Sequence, residues 1–459
     1  IQFGPNVNFI FECHDLRFAS PATVSRAGMI FLSEENIDVE VMLKAWLGKV
    51  ADPDQRDRLK GWLDDFFPRA FELALQKPNV VDTTKAGTLY NGLSHLVDVD
   101  SKRDFCCKLA RGFGANMDED TMAEFMAEMS RALGEAELQE LPATMAAAGG
   151  MTDSGLVLVE QVNQTLRTIQ PWVESGEPFI LVGPEGCGKA TLLQHAFSQQ
   201  KSTSLAVINC SAQTSALHAM QKLTQVCGQP VSTNEGRVLR PRDAEKLVIY
   251  FKDLNLPKPD KYDTIQLISF LQQLVTFRGY YDENLEFIGL EPGRIQIVGS
   301  MNPSTTVGRH VLTSRFTAIV RVACTTYPER TQLQTVYFHS LKRALADHPT
   351  HGSDSQIRKL AGTMIEIYDT VAQTFSADDY RHYKLTPRHL SEWVAGLERY
   401  DMQAGADIMD VFAYEAARVF RDRLVGTDAQ DRFDSLVTSS VRSQWRATLN
   451  PEALFTTWA

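Results

Sequence analysis

Apolar positions along this chain switch between two periods, and the switches divide it. "NFIFE" at 8–12 and "GMIFL" at 28–32 are short apolar runs of the kind a buried strand shows, joined by the polar "SPATVSRA". They predict the end of an α/β unit over residues 1–35. From Val39 to about Leu133 the spacing becomes helical: "VEVMLKAWL", "LKGWLDDFFPRAFELAL", "GTLYNGLSHLV" and "AEFMAEMSRAL" repeat apolar residues at i, i+3 and i+4. Residues 36–133 therefore predict a helical subdomain. The Ala/Gly-rich, weakly patterned stretch 134–156 reads as a linker.

Beyond it the pattern alternates. "PFILVG", "LAVINC", "KLVIYF" and "RIQIVGSMN" read as strands, with helices opening at Lys189 and around "IQLISFLQQLV". Strands alternating with helices imply an α/β fold, a parallel sheet sandwiched by helices, over 157–328. From 329 to 459 the helical period returns in "RTQLQTVYFHSLKRAL", "IRKLAGTMIEIYDTVAQTF", "PRHLSEWVAGLERY" and "DVFAYEAARVFRDRLV". The order of α/β end, helices, α/β, helices is a repeat.

Composition narrows the function. A chain of 459 residues with 44% hydrophobic content exceeds one core and predicts several domains. The net charge of −11, with no dense basic stripe, argues against nucleic acid as a partner. Seven scattered cysteines without a C-x-x-C pair suit neither a disulfide framework nor a metal site, and point to a reducing compartment. No apolar run is long enough to predict membrane insertion. The opening at Ile1, already inside a strand-like run, reads as part of something longer.

"LVGPEGCGKATLL" carries the chemistry. Gly183, Gly188 and Lys189 fit G-x-x-x-x-G-K directly after a strand and at the start of a helix. In that context the backbone amides of Gly183, Pro184, Glu185, Gly186, Cys187 and Gly188 surround a phosphate where they carry N–H groups, and Lys189 reaches the outer phosphates. Cys187 is a small residue the loop tolerates. Ala190 stands where the motif places a Ser or Thr hydroxyl on Mg²⁺. Thr191 lies one residue on, about 100° around the helix, so it does not take over that role. At the end of "KLVIYF" only Asp253 is acidic, with Lys252 beside it, where a metal-binding and water-orienting pair is wanted. Asp253 is the candidate metal ligand and catalytic acid. Asn302 after the next strand suits a γ-phosphate or its attacking water. Arg315 in "LTSRFTAIV" and Arg26 in "ATVSRAGMI" occupy parallel places before apolar runs and suit arginines reaching a neighbouring phosphate. Arg388 follows Pro387 at a helix start, presented toward an anion.

Together these features resemble an AAA+ ATPase module with Walker A at Gly183–Thr191, a degenerate Walker B at Asp253, sensor 1 at Asn302, an arginine finger at Arg315 and sensor 2 at Arg388. "FECHDLRFASPATVSRAGMIFLS", "KDLNLPKPDKYDT", "LTSRFTAIVRV" and "YEAARVFRDRLVG" are similar to dynein heavy chains over essentially the whole chain. The likeness implies the end of the second ring module followed by the third. "VGPEGCGK" and "KDLNLP" resemble the intraflagellar-transport form, the second cytoplasmic dynein. It further implies ATP or ADP, with Mg²⁺ short of ligands; partners among the other modules of one heavy chain; and microtubules, dynein subunits and intraflagellar transport complexes met through other parts. The implied location is cytoplasm, cytoskeleton and cilium. Arg315 would then serve the second module's nucleotide and Arg26 the first's. A regulatory site with little hydrolysis is expected. An active ATPase in which Asp253 and a water complete the metal shell, and a structural spacer with an empty cradle, stand as alternatives.

Overall fold

The computed structural model describes residues 4–13, 15–33, 36–133, 150–152, 155–233, 236–282, 284–345, 352–400 and 407–449; the expected linker lies mostly outside them.

The first described segment differs from its sequence pattern. It holds one short helix, α1 (Pro21–Arg26), started by Ser20, whose Oγ accepts from Thr23 N at 3.1 Å. "NFIFE" and "GMIFL" form no strand, and Ile10 and Phe31 are 96% and 89% exposed. An apolar run becomes a strand only when its N–H and C=O groups find a neighbour, and the described residues of this chain bring none to either run.

Five helices follow: α2 (Val39–Leu47), α3 (Pro53–Gln76), α4 (Lys85–Leu93), α5 (Lys102–Gly114) and α6 (Glu119–Leu133). Asp38, Asp52, Thr84 and Ser101 cap the first four with side-chain oxygens that accept orphan amide N–H groups. Their apolar stripes meet at Leu63, Phe67, Leu109, Phe113 and Phe125.

The α/β region runs α7 (Glu160–Ser175), β1 (Phe179–Val182), α8 (Lys189–Ser198), β2 (Thr203–Asn209), α9 (Ala216–Cys227), β3 (Val231–Thr233), β4 (Gly236–Leu239), β5 (Lys246–Lys252), α10 (Gln266–Phe277), β6 (Gly279–Tyr281), β7 (Phe287–Leu290), β8 (Ile295–Met301), α11 (Ser314–Thr317) and β9 (Arg321–Cys324). The main sheet has the order β2-β5-β8-β1-β9, every pair parallel. All four residues of β1 are buried, as expected of a strand covered on both faces. In register, Val182 lies beside Met301 and Cys324, and Lys252 beside Ser300, so β1, β5 and β8 end together. That edge is where a doubly covered parallel sheet receives ligands. A second sheet, β3-β4-β7-β6, joins the antiparallel pairs β3–β4 and β6–β7 through the parallel pairing of β4 with β7.

The last helices are α12 (Arg330–Ala344), α13 (Asp354–Thr374), α14 (Pro387–Leu397), α15 (Ile408–Val419) and α16 (Thr427–Trp445). Trp393 organises their core, with its ring 4.4 Å from Phe412 and its Nε1 donating to Phe412 O at 3.0 Å.

The α2–α6 helices pack on the open edge of the main sheet. Asn91 of α4 and Asn116 after α5 use side-chain amides as short pieces of strand: Asn116 donates to Val81 O at 2.7 Å and accepts from Val81 N at 3.1 Å. Cys324 N donates to Ala115 O at 2.7 Å, and Trp172 Nε1 donates to Ser94 Oγ at 2.7 Å. The helical bundle and the sheet thus share a buried hydrogen-bonded seam.

Candidate nucleotide site

The glycine loop begins where β1 is clamped from both sides. Gly183 N donates to Met301 O of β8, and Thr325 N after β9 donates to Val182 O. Gly186 and Gly188 have φ of 77° and 88°, the left-handed region that side chains disfavour, and these two turns reverse the chain into α8. Gly188 is the N-cap and supplies no side-chain cap, and the first turn carries no acid. The first N–H groups of α8 are left for an anion, with the helix dipole behind them.

Lys189 lies across this mouth. Its Nζ donates to Gly183 O and Pro184 O, both at 2.7 Å, and to Asn302 Oδ1 at 3.0 Å. Burial holds its pKa below the ordinary lysine value, with the Asp253 charge opposing and Arg309 reinforcing the shift. A phosphate in the mouth would replace carbonyl dipoles with full negative charge and favour the ammonium. Burial pushes the Cys187 thiol up, so it is no thiolate nucleophile.

Asp253 follows β5 with φ of 60°, an uncommon conformation for a residue with a side chain. Its Oδ1 lies 3.0 Å from Arg309 Nη2. Asn255, fully buried, ties the neighbouring loops together: its Nδ2 donates to Asn302 O at 2.8 Å, and its carbonyl accepts His310 N at 2.9 Å. Asp253, Asn302 and Arg309 are therefore held on one hydrogen-bonded base at the ends of β5 and β8.

These residues do not fit a magnesium shell. The Ala190 methyl packs with the apolar cluster between sheet and α7, and Thr191 is exposed on α8. Asp253 is already engaged by a guanidinium, and Lys252 beside it is exposed. Among the described residues, no group of three or more His, Cys, Asp or Glu side chains could hold a metal.

The second helical region closes one side of the loop. Tyr327 Oη donates to Glu185 O at 2.5 Å, and Lys384 pairs with Glu185 at 3.3 Å. A Cβ at Gly186 would lie 2.8 Å from Thr386 Oγ1 and 3.3 Å from Arg388 Cβ. The start of α14 is thus pressed against the loop, although the Arg388 guanidinium turns to Glu392 at 3.2 Å. Arg315 lies elsewhere, paired with Glu12 at 2.8 Å on the side where residues 4–33 run past the β5–α10 loop. Arg26 ends α1 and is exposed.

Of the sequence-derived site residues, the structure gathers Gly183–Thr191, Asp253 and Asn302, sets Arg388 beside them, and separates off Arg315 and Arg26. The structure adds Asn255, Arg309, Tyr327 and Lys384 to the site. Their partners lie far away in sequence, and no local spacing marks them.

Three family models match in succession. Residues 38–131 match "Cytoplasmic dynein 2 heavy chain 1, AAA+ ATPase domain", residues 155–328 match "P-loop containing dynein motor region", and residues 340–430 match "Dynein heavy chain, ATPase lid domain". The chain belongs to the dynein heavy-chain family. Within that family it is 48% identical to cytoplasmic dynein 2 heavy chain 1 of Chlamydomonas reinhardtii over 96% of this chain, and 43% identical to that of Homo sapiens over 100% of it. The similarity to the cytoplasmic dynein heavy chain of Caenorhabditis elegans is 27% over 96% of the chain. The chain spans about a tenth of the length of the curated relatives it matches, 10% and 11% of the two dynein 2 chains. Its parallel sheet, glycine loop and following helices are those of an α/β P-loop AAA+ module of a dynein.

Proposed function

We propose that this chain is a regulatory ring segment of the ATP-driven, minus-end-directed microtubule motor of retrograde intraflagellar transport. Its loop holds ATP or ADP and hydrolyses it slowly or not at all. It works in the cytoplasm and cilium beside the other modules of its heavy chain, with microtubule, dynein subunits and transport complexes engaged by other parts of the motor.

One observation carries this reading: the phosphate-gripping half of the site is complete while the hydrolytic half is occupied. Loop glycines, the uncapped start of α8 and Lys189 form a cradle. The strand-end acid is bound to Arg309, and Ala190 brings no hydroxyl. Binding needs the first set, whereas in-line attack also needs positioned water and stabilised charge on the leaving oxygens. The grading of identities toward the dynein 2 chains supports the transport assignment. The parallel sequence settings of Arg26 and Arg315 support roles as fingers for the first and second modules.

Titration of fluorescent ADP into the chain and into Lys189→Ala, with phosphate release measured in parallel, tests the reading. Saturable binding lost in the variant, with turnover at background, is the expected result. Robust turnover abolished by Asp253→Asn would overturn it.

A further inference from the structure

Arg309 has the attributes of a built-in cation. Its side chain is 13% exposed, and Nη2 lies 3.0 Å from the Asp253 carboxylate, the oxygen pair a divalent ion would otherwise use. Its position is imposed from outside the pair. His310 N–H docks on the Asn255 carbonyl, Arg309 N donates to Thr306 O at 3.1 Å, and the Asn255 side chain fixes the start of the same loop at Asn302. Nη1 is enclosed without a hydrogen-bond partner, so one donor is left over for an acceptor the protein does not supply. None of these contacts involves a ligand, so the protein alone positions this arginine.

The charge arithmetic runs the same way. A bare carboxylate beside a polyphosphate repels it, and this is why such sites ordinarily require a divalent ion between the two. A guanidinium on the carboxylate cancels that repulsion at no cost in metal dehydration. It also removes the ligand on which a metal would seat.

Resting on the nucleotide-holding role proposed above, we infer that Arg309 takes the place of the divalent cation, so that this site accepts the nucleoside di- or triphosphate free of magnesium. The site then selects the uncomplexed nucleotide and gains nothing from the metal.

The test measures the Kd of fluorescent ADP in excess Mg²⁺ and in excess EDTA, together with Mn²⁺ binding followed by electron paramagnetic resonance in the presence of ADP. In the native chain the affinity in EDTA is expected to equal or exceed that in Mg²⁺, and the protein to bind no Mn²⁺ beyond what ADP alone binds in solution. In Arg309→Gln the affinity in EDTA is expected to fall about tenfold, to recover with Mg²⁺, and Mn²⁺ to become bound. Arg309→Gln combined with Asp253→Asn is expected to bind equally with and without metal, since the repelling charge is gone. A native chain whose ADP affinity rises about tenfold or more with Mg²⁺, or that holds Mn²⁺ beyond what ADP alone binds, overturns this inference while leaving nucleotide binding intact. A native chain that binds no ADP under either condition overturns both readings.

Discussion

Asn91 and Val322 are joined as if they were neighbouring strand residues: Asn91 Nδ2 donates to Val322 O at 3.0 Å, and Val322 N donates back to Asn91 Oδ1 at 3.1 Å. Asn91 sits on α4, yet it completes the edge of the sheet that carries the glycine loop. The same Nδ2 donates to Gly112 O at 3.1 Å. Any shift of the helical bundle must therefore move β9, which lies directly beside β1, or break buried hydrogen bonds.

Asn91→Ala strands a sheet N–H, a sheet carbonyl and a helix carbonyl away from water. The loss expected is at least about 3 kcal/mol, since each of the three buried orphans costs roughly 1–3 kcal/mol. Urea unfolding of variant and native chains, compared at equal m-value, checks it. A change within error would show that the seam contributes nothing.

His95 lies at the same seam, with its ring nitrogens 3.2 Å from Asn91 O and 2.9 Å from Thr168 O and its ring 5.1 Å from Trp172. Burial lowers its pKa to about 4, with Arg111 and Arg321 also disfavouring the cation and the two backbone carbonyls opposing them. The unfolded chain, with a histidine near 6.5, binds the proton first as pH falls. Stability from this group is complete above about 6.5 and drains away toward about 4, by roughly 3 kcal/mol in all. Unfolding curves for the native chain and His95→Gln between these values should converge as the solution is acidified; parallel curves would remove the histidine from the account.

Lys189 should make nucleotide affinity fall on the alkaline side. Its folded pKa is below the ordinary 10.5, so in the free chain the ammonium is lost earlier on raising pH than from an unfolded chain. The fold itself is relieved by that loss, while phosphate binding needs the charge, so the two respond oppositely. ADP titrations at increasing pH are expected to show weakening that begins below 10.5. Lys189→Ala is expected to lose about a hundredfold in affinity and to show no such pH response.

Gly186→Ala tests the contact between the loop and the second helical region. The added methyl would meet Thr386 Oγ1 at 2.8 Å and its Cβ at 3.0 Å, at a φ of 77°. Strain of about 1–2 kcal/mol is expected from the backbone alone. If α14 yields to relieve the clash, ADP affinity drops and proteolysis between β9 and α12 speeds up; unchanged affinity and cleavage would mean the loop absorbs the methyl alone.

The glycine loop was legible because everything it needs is local. A buried strand, glycines at the turning positions and a lysine at the first helical residue lie within a dozen positions, and the backbone alone brings them together. The strand-end position of Asp253 was legible for the same reason. Arg309 was not, since it meets Asp253 only through the parallel pairing of β5 with β8 and the Asn255 clamp. The runs at 8–12 and 28–32 show the opposite failure. Their period was strand-like, but period reports which faces are apolar and says nothing about a hydrogen-bonding neighbour.

Local order along the chain determined where the helices start, which strand precedes the cradle, and that a hydroxyl is missing at Ala190. These depend on capping, turn and side-chain inventory within a few residues. Only the tertiary structure decided which charge faces Asp253 and that Asn91 serves a sheet. It also decided that Arg315 lies apart from the loop while the base of Arg388 lies against it. Those relations depend on Coulomb and hydrogen-bond forces acting over a few ångströms between residues far apart in sequence, and chain folding alone makes them neighbours.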